Sequence, residues 1–319
     1  MRRKWKVMFL PLVVAVMVTA ATATGGADTN GAAPPSLSKY NFKGATFTVG
    51  SKDFTESRVL GEITKQALKA TGANVKTKFG LGTSVNRSAL LSGKIDMYWE
   101  YTGTGYIVHL KHTKPIQNPQ ALYRAVAKED LKNGVKWLAR APFNDTYGLA
   151  VRKEAAGSLG LVKISDLKKL IANKPDDATI CVGTEFSTRD DGLPGVEKAY
   201  GFAFPSDNIV KIAEGIIYKS VDEGKICNIG EIFTTDGRIQ GLGLTVLKDD
   251  KSFFPIYNGS LNVRQKVFAK YPKLAPMFAP ISAKLTDAVM TKLNADIDVR
   301  GKFPEDVAKA FLKQYKFIK

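Results

Sequence analysis

The sequence is poor in the side chains on which most enzymes depend. Two histidines, His109 and His112, and two cysteines, Cys181 and Cys227, are the whole supply in 319 residues. There is no Gly-x-Ser-x-Gly elbow, no phosphate-binding Gly-x-x-x-x-Gly-Lys and no His-Glu-x-x-His. Their absence removes the nucleophile, the phosphate cradle and the zinc pair that those motifs supply. His109 and His112 stand three apart, a spacing that could set both on one helix face as metal ligands. With no acidic or cysteine partner nearby in sequence, they read as surface residues. Gly80-x-Gly82 lacks the third glycine and the later acidic residue of a dinucleotide site. No metal, no cofactor and no enzymatic activity is expected. Acidic residues are also short: 30 Asp and Glu face 47 Lys and Arg, a net charge of +17. The basic residues are scattered and no nucleic-acid fold signature accompanies them. The charge therefore reads as a solvated surface, and nucleic acid is not an expected partner.

The amino terminus reads as an export signal. Arg2, Arg3, Lys4 and Lys6 precede an uncharged apolar run, Val7 to Ala21, and small residues then dominate to Ala27. The run falls short of the ~20 residues that span a bilayer, so a secretory signal over 1–27 is expected, cleaved on export to the periplasm. No cysteine lies near the cleavage region to carry a lipid. Thr24 to Ser38 is rich in Gly, Ala, Pro and Asn, and a disordered junction over 28–45 is expected to precede the first strand. In an oxidising compartment a cysteine pair is usually bridged. Cys181 and Cys227 lie in short apolar runs, Thr179 to Val182 and Ile226 to Ile229, each read as a strand. A bridge is expected; two buried thiols are the alternative.

Strand and helix alternate along the rest. Thr46 to Gly50 reads as a strand, Ser57 to Thr71 as a helix, Asn74 to Phe79 as a strand, Ser84 to Ser92 as a helix and Ile95 to Tyr98 as a strand. Helices follow at Pro119 to Asn133 and Ser165 to Ala172, a strand at Tyr147 to Val151, and a turn at Gly192 to Gly195 opening a helix to Tyr200. Ser206 to Ile212 and Gly215 to Glu223 complete the alternation. Lys248 to Gly259 is irregular, and Leu261 to Tyr271 opens a helical tail. The pattern predicts two α/β units with largely parallel sheets. Ligands of such sheets bind beyond the carboxyl ends of strands, and Gly50, Tyr98 and Tyr147 all fall at strand boundaries.

Aromatics are where this sequence is generous. Tyr98 to Tyr106 holds three tyrosines and a tryptophan in nine residues. A quaternary ammonium group has no N–H to donate, so a protein holds it with aromatic faces, each desolvated contact contributing up to ~2 kcal/mol. An anionic tail on the same ligand would want a guanidinium opposite. Tyr101, Tyr147 and Tyr257 in boundary segments, with Arg189, suit both demands. Ordinary half-buried core tyrosines remain the alternative reading of the residues alone.

Seven motifs, in order, resemble the substrate-binding proteins of osmoprotectant ABC importers of the glycine betaine/choline/carnitine type. They are Gly-Ser-Lys-x-Phe-Thr-Glu at Gly50 to Glu56, Gly-Thr-Ser-Val-Asn at Gly82 to Asn86, Glu-Tyr-Thr-Gly-Thr at Glu100 to Thr104, and Asn-x-Thr-Tyr-x-Leu-Ala-Val at Asn144 to Val151. Arg-x-Asp-Gly-Leu-Pro-Gly follows at Arg189 to Gly195, Thr-Asp-Gly-Arg-Ile at Thr235 to Ile239, and Phe-Phe-Pro-x-Tyr at Phe253 to Tyr257. The resemblance implies a type II periplasmic-binding-protein fold, with two α/β lobes hinged about a ligand cleft: 46–143 plus 258–319 as the first lobe and 144–257 as the second. It implies Tyr101, Tyr147 and Tyr257 as walls of a cage, Arg189, Lys52 and Thr104 on a ligand carboxylate, and Thr83 and Asp145 as nearby polar contacts. Where the family usually carries a fourth tyrosine, this chain has Phe233. The π face survives and the hydroxyl is lost, at ~1 kcal/mol. Trp99 also stands where a smaller residue is usual. The implied partners are a small quaternary ammonium ligand, glycine betaine first, and a membrane ABC permease with its ATPase; a monomer is expected. Choline, carnitine or ergothioneine as ligand, or an exported enzyme or sensory module on the same scaffold, are the competing readings. In all of them Tyr98 and Trp99 are expected to pack and support, with Tyr101 and Thr104 facing the ligand.

Overall fold

Two five-stranded sheets organise the chain. The computed structural model describes residues 36–319; the expected signal at 1–27 and the start of the junction lie outside them. The strands are β1 (Thr46–Lys52), β2 (Asn74–Leu81), β3 (Met97–Tyr101), β4 (Val135–Arg140), β5 (Tyr147–Arg152), β6 (Ile180–Val182), β7 (Ile209–Lys211), β8 (Ile229–Phe233), β9 (Leu244–Val246) and β10 (Gly259–Arg264). The first sheet runs β2-β1-β3-β10-β4 and the second β7-β6-β8-β5-β9. Helices separate most of the strands, so each lobe is α/β. No helix among the described residues is long and apolar enough to cross a membrane.

The sheets are mixed rather than largely parallel. β1 pairs in parallel with β2 and β3, and β6 with β7 and β8. β10, however, is antiparallel to β3 and β4, and β5 to β8 and β9. The reason is topological. β5 and β10 are the strands that begin just after the chain has crossed from one sheet to the other. They enter from the side opposite to the βαβ strands already there. The crossing segments are tied together: the Tyr257 N–H donates to Asn144 Oδ1 at 2.7 Å, the Thr146 hydroxyl to the Pro255 carbonyl at 2.9 Å, and Asn258 Nδ2 to the Phe143 carbonyl at 2.6 Å.

The helix Thr55–Lys69 shows how the periodicity is cashed in structure. Val59, Leu60, Ile63, Ala67 and Leu68 are all buried, the spacing of a wide apolar stripe on a 3.6-residue helix. The stripe packs beside β3, every residue of which is buried, as expected of a central strand covered on both faces. Trp99 donates its indole N–H to Thr64 Oγ1 at 2.8 Å, and Tyr98 its hydroxyl to Glu100 at 2.8 Å. Each aromatic buried this way contributes about 4–6 kcal/mol of apolar transfer before entropy is subtracted. The support role expected for Tyr98 and Trp99 is where the structure puts them.

Three local expectations are corrected. Residues 36–45 are packed, not disordered: Leu37 is buried and bonds to the Phe317 carbonyl at 3.0 Å, and Phe42 meets Phe47 and Tyr271 edge to face. Their three apolar anchors, Leu37, Phe42 and Ala45, were outweighed in sequence by glycine and proline upstream. The strand expected at Ile226 to Ile229 instead begins at Ile229 and runs to Phe233, because Ile226 is exposed and Cys227 is turned toward β6. Leu261 to Tyr271 is half strand: β10 ends at Arg264 before a short helix, Gln265–Lys270. Cys181 on β6 and Cys227 are bonded, with Cα atoms 5.7 Å apart.

Candidate functional site

A cleft of about 880 Å³ lies between the lobes. All nine residues singled out in the sequence line it: Lys52, Thr83, Tyr101, Thr104, Asp145, Tyr147, Arg189, Phe233 and Tyr257. Tyr101 ends β3, Tyr147 starts β5 and Phe233 ends β8, so strand ends deliver the aromatics. Tyr257 comes from the irregular segment before β10. Its approach depends on Gly103, where a Cβ would stand 2.7 Å from the Tyr257 ring.

The rings form a continuous belt. Tyr257 meets Tyr147 edge to face at 5.4 Å; Tyr147 meets Phe233 at 5.1 Å; Phe233 stacks on Phe54 at 5.2 Å; Phe54 meets Tyr101 at 6.0 Å. These separations fall in the range of favourable aromatic pairs, and a belt of this kind offers several negative π faces to one cation. Tyr101, Tyr147 and Tyr257 are 3–7% exposed, so a contact there is desolvated. Phe54 was not foreseen as a wall, although it stands in the Gly50 to Glu56 motif.

Arg189 sits beside the belt, its guanidinium carbon 5.5 Å from the Tyr147 ring centre. Nε and Nη2 each donate to Asp191 at 2.7 Å. Nη2 also reaches Thr104 Oγ1 at 3.5 Å, and Nη1 faces Glu185 at 3.6 Å. Asp191 in turn accepts the Tyr257 hydroxyl at 2.5 Å. Burial works against the Asp191 carboxylate, but Arg189 and Tyr257 hold its pKa below the usual value. Asp191 was missed in sequence, although it is the aspartate of Arg-x-Asp-Gly. The loop that presents Arg189 is tight: a Cβ on Gly192 would fall 2.1 Å from the Phe186 carbonyl oxygen. Thr83 contributes its backbone N–H to Glu185 at 3.0 Å across the cleft.

Lys52 differs from the expectation of a cation free for ligand. Its Nζ lies 2.6 Å from Glu100 Oε1, with both side chains buried, and 5.1 Å from the Tyr101 ring centre. Burial would push the Glu100 carboxyl up, yet the Lys52 charge and His109 hold it far below the usual range. His109 is therefore not a surface residue: Nε2 contacts Glu100 at 2.9 Å with the side chain 5% exposed. His112 pairs with Glu129 at 2.8 Å. The partners stand 9 and 17 residues away along the chain, outside the i, i+3 and i, i+4 spacings by which a helix face would have revealed them. No group of side chains among the described residues could hold a metal ion.

Acidic residues complete the lining. Glu56 accepts the Tyr101 hydroxyl at 2.9 Å and the Thr235 hydroxyl at 2.6 Å, and Asn294 donates to it at 3.1 Å. Asp145 lies 2.6 Å from the same Thr235 oxygen. Farther along, burial, then Asp53 and Glu185, raise the Glu214 carboxyl to about 7.

A cleft lined from two α/β lobes, with rings at its strand ends, is the arrangement of a solute-binding protein. The chain belongs to the substrate-binding domains of ABC-type glycine betaine transport systems: that family's model matches residues 45–314. It is a family of transport binding domains, not of enzymes. The glycine-betaine-binding protein of Pseudomonas aeruginosa is 37% identical over 278 residues, 86% of this chain and 89% of that one. The Helicobacter pylori protein EgtU, named as an ergothioneine transport permease and binding protein, is 34% identical over 83% of this chain and 47% of its own length. The solved structure of apo YehZ from Escherichia coli superposes with a TM-score of 0.62 at 33% identity, covering 86% of this chain and 99% of that one.

Proposed function

We propose that this chain is exported to the periplasm, captures a small quaternary ammonium osmoprotectant, glycine betaine first, and delivers it as a monomer to an ABC permease and its ATPase. The aromatic belt from Tyr257 to Tyr101 carries the reading. Tyr101, Tyr147, Phe233 and Tyr257, joined by Phe54, surround the trimethylammonium group. Arg189 takes the carboxylate through Nη1, with Thr104 and Lys52 at its flank and Thr83 and Asp145 as polar neighbours. The lobes 46–143 with 258–319 and 144–257 close on the ligand by hinging at the two tied crossing segments, a domain movement of the usual kind. The name of the Pseudomonas aeruginosa relative supports the choice of ligand.

A second reading is another trimethylammonium solute such as choline, carnitine or ergothioneine, and one observation favours choline, which alone of these has no carboxylate. Both cations that would hold a carboxylate are already paired, Lys52 with Glu100 and Arg189 with Asp191. A thermal-shift panel of the four solutes tests both readings. A ligand at ~100 times its Kd adds ~2.7 kcal/mol of stability. A shift with glycine betaine supports the first reading, a shift with only another member of the panel supports the second, and no shift with any of the four refutes both.

A further inference from the structure

One hydroxyl stands between two buried carboxyl groups. Thr235 Oγ1 is 2.6 Å from Glu56 Oε2 and 2.6 Å from Asp145 Oδ1, and the three residues are 2–4% exposed. A hydroxyl has one hydrogen to give. The second short oxygen–oxygen contact needs a hydrogen of its own, which a protonated carboxyl supplies. The other partners say which one. Glu56 collects donors from Tyr101, Asn294 and Thr235, the surroundings of an ionised carboxylate. Asp145 has no second side-chain donor among the described residues. The proton therefore sits on Asp145, which donates to Thr235, which donates to Glu56. Burial, then the Glu56 charge, push the Asp145 carboxyl well up, in the same direction.

The cluster joins the two lobes. Glu56 is on the helix Thr55–Lys69, Tyr101 ends β3 and Asn294 is on the helix Asp287–Asp298, all on the first lobe. Thr235 follows β8 in the second, and Asp145 lies in the crossing segment. Asn294 also donates to the Thr235 carbonyl at 3.0 Å. The other charges around the cluster are already paired: Asp236 with Arg238, Arg238 with Asp298, and Lys52 with Glu100 behind Tyr101.

We infer that closing the lobes on a ligand takes up one proton, held by the Glu56–Thr235–Asp145 cluster, and that Glu56 is the positioning residue which links this proton to the cage wall Tyr101. The inference rests on the reading of this chain as a binding protein that opens and closes. When the lobes part, Glu56 and Asn294 leave Thr235 and Asp145. Asp145 regains water, loses the neighbouring charge and ionises in the ordinary carboxylate range. Closure reverses this, and the proton comes from solvent. The raised carboxyl belongs to the closed state, so its contribution is whole below the open-state range and is lost as pH rises through the closed-state value. Within that window one proton weakens binding by at most tenfold per pH unit.

Calorimetric titration of the whole protein with glycine betaine and with choline, in two buffers of different ionisation enthalpy at about pH 7, reads the proton directly. The expected result is a binding heat that depends on the buffer and corresponds to uptake of up to one proton. The uptake vanishes in Asp145→Asn and in Glu56→Gln and persists in Glu214→Gln. The Kd also reads it: in wild type it should rise with pH above the ordinary carboxylate range, and that rise should be lost in Asp145→Asn and kept in Glu214→Gln. Binding with no buffer dependence overturns the inference and leaves the functional reading standing, as does an uptake that survives Asp145→Asn and disappears in Glu214→Gln. No binding of either solute, or of carnitine or ergothioneine, overturns both.

Discussion

Replacing Arg189 by alanine should separate ligands that carry a carboxylate from those that do not. The guanidinium has five N–H donors. Asp191 engages Nε and one hydrogen of Nη2, Thr104 takes a long contact from Nη2, and Glu185 stands 3.6 Å from Nη1. Nη1 is thus the donor left for a ligand. A hydrogen bond to a charged group in a desolvated site contributes about 1.5–3 kcal/mol. At ~1.4 kcal/mol per decade, Arg189→Ala should raise the Kd for glycine betaine roughly ten- to hundred-fold. Choline has no carboxylate, and its cation would gain the Tyr147 face that Arg189 overlies at 5.5 Å. Its Kd should move by less than about threefold. The variant leaves Asp191 buried with Tyr257 as its remaining side-chain donor, so folding must be checked by circular dichroism before the titrations. Arg189→Lys keeps the charge but not the planar fork and should fall between. Equal losses for betaine and choline in a folded variant would refute the carboxylate role.

Other outcomes follow from the same geometry. Phe233→Ala removes the ring between Tyr147 and Phe54 and should weaken every trimethylammonium ligand by roughly thirtyfold, about 2 kcal/mol, in calorimetry; a loss confined to betaine would contradict the cage. Phe54→Ala should weaken choline and betaine alike, and unchanged affinities would remove it from the belt. Tyr101→Phe keeps the ring but strips one donor from buried Glu56, so the melting transition should fall by the equivalent of about 1–3 kcal/mol. Reducing the Cys181–Cys227 bond, which closes a separation of 46 residues, should cost about 4 kcal/mol on the chain-entropy scale; an unchanged melting temperature with reductant would contradict that.

Much of the cleft was legible because strand ends leave local marks. Tyr101, Tyr147 and Tyr257, with Arg189, could be picked out as aromatics and a cation in boundary segments, whereas Phe233, Lys52, Thr104, Thr83 and Asp145 came only from the motifs that resemble the osmoprotectant-binding family. What stayed hidden was set by partners outside any local spacing in the chain. The antiparallel entry of β5 and β10 depends on which sheet the chain has just left. The burial of His109 depends on Glu100, and the pairing of Lys52 depends on the same carboxylate. Thr235 meets Glu56 at a separation of 179 residues, which no periodicity reports. Phe54 was within a quoted motif, yet only its stacking on Phe233 identifies it as part of the belt.

The most direct test of the cage is calorimetric titration of one protein preparation with glycine betaine and with glycine, which differ in the three methyl groups on nitrogen. Recognition by aromatic faces predicts saturable one-to-one binding of betaine, abolished by Tyr147→Ala, and no measurable binding of glycine. Equal binding of the two, or a Tyr147→Ala variant that is folded and binds betaine as wild type does, would contradict it.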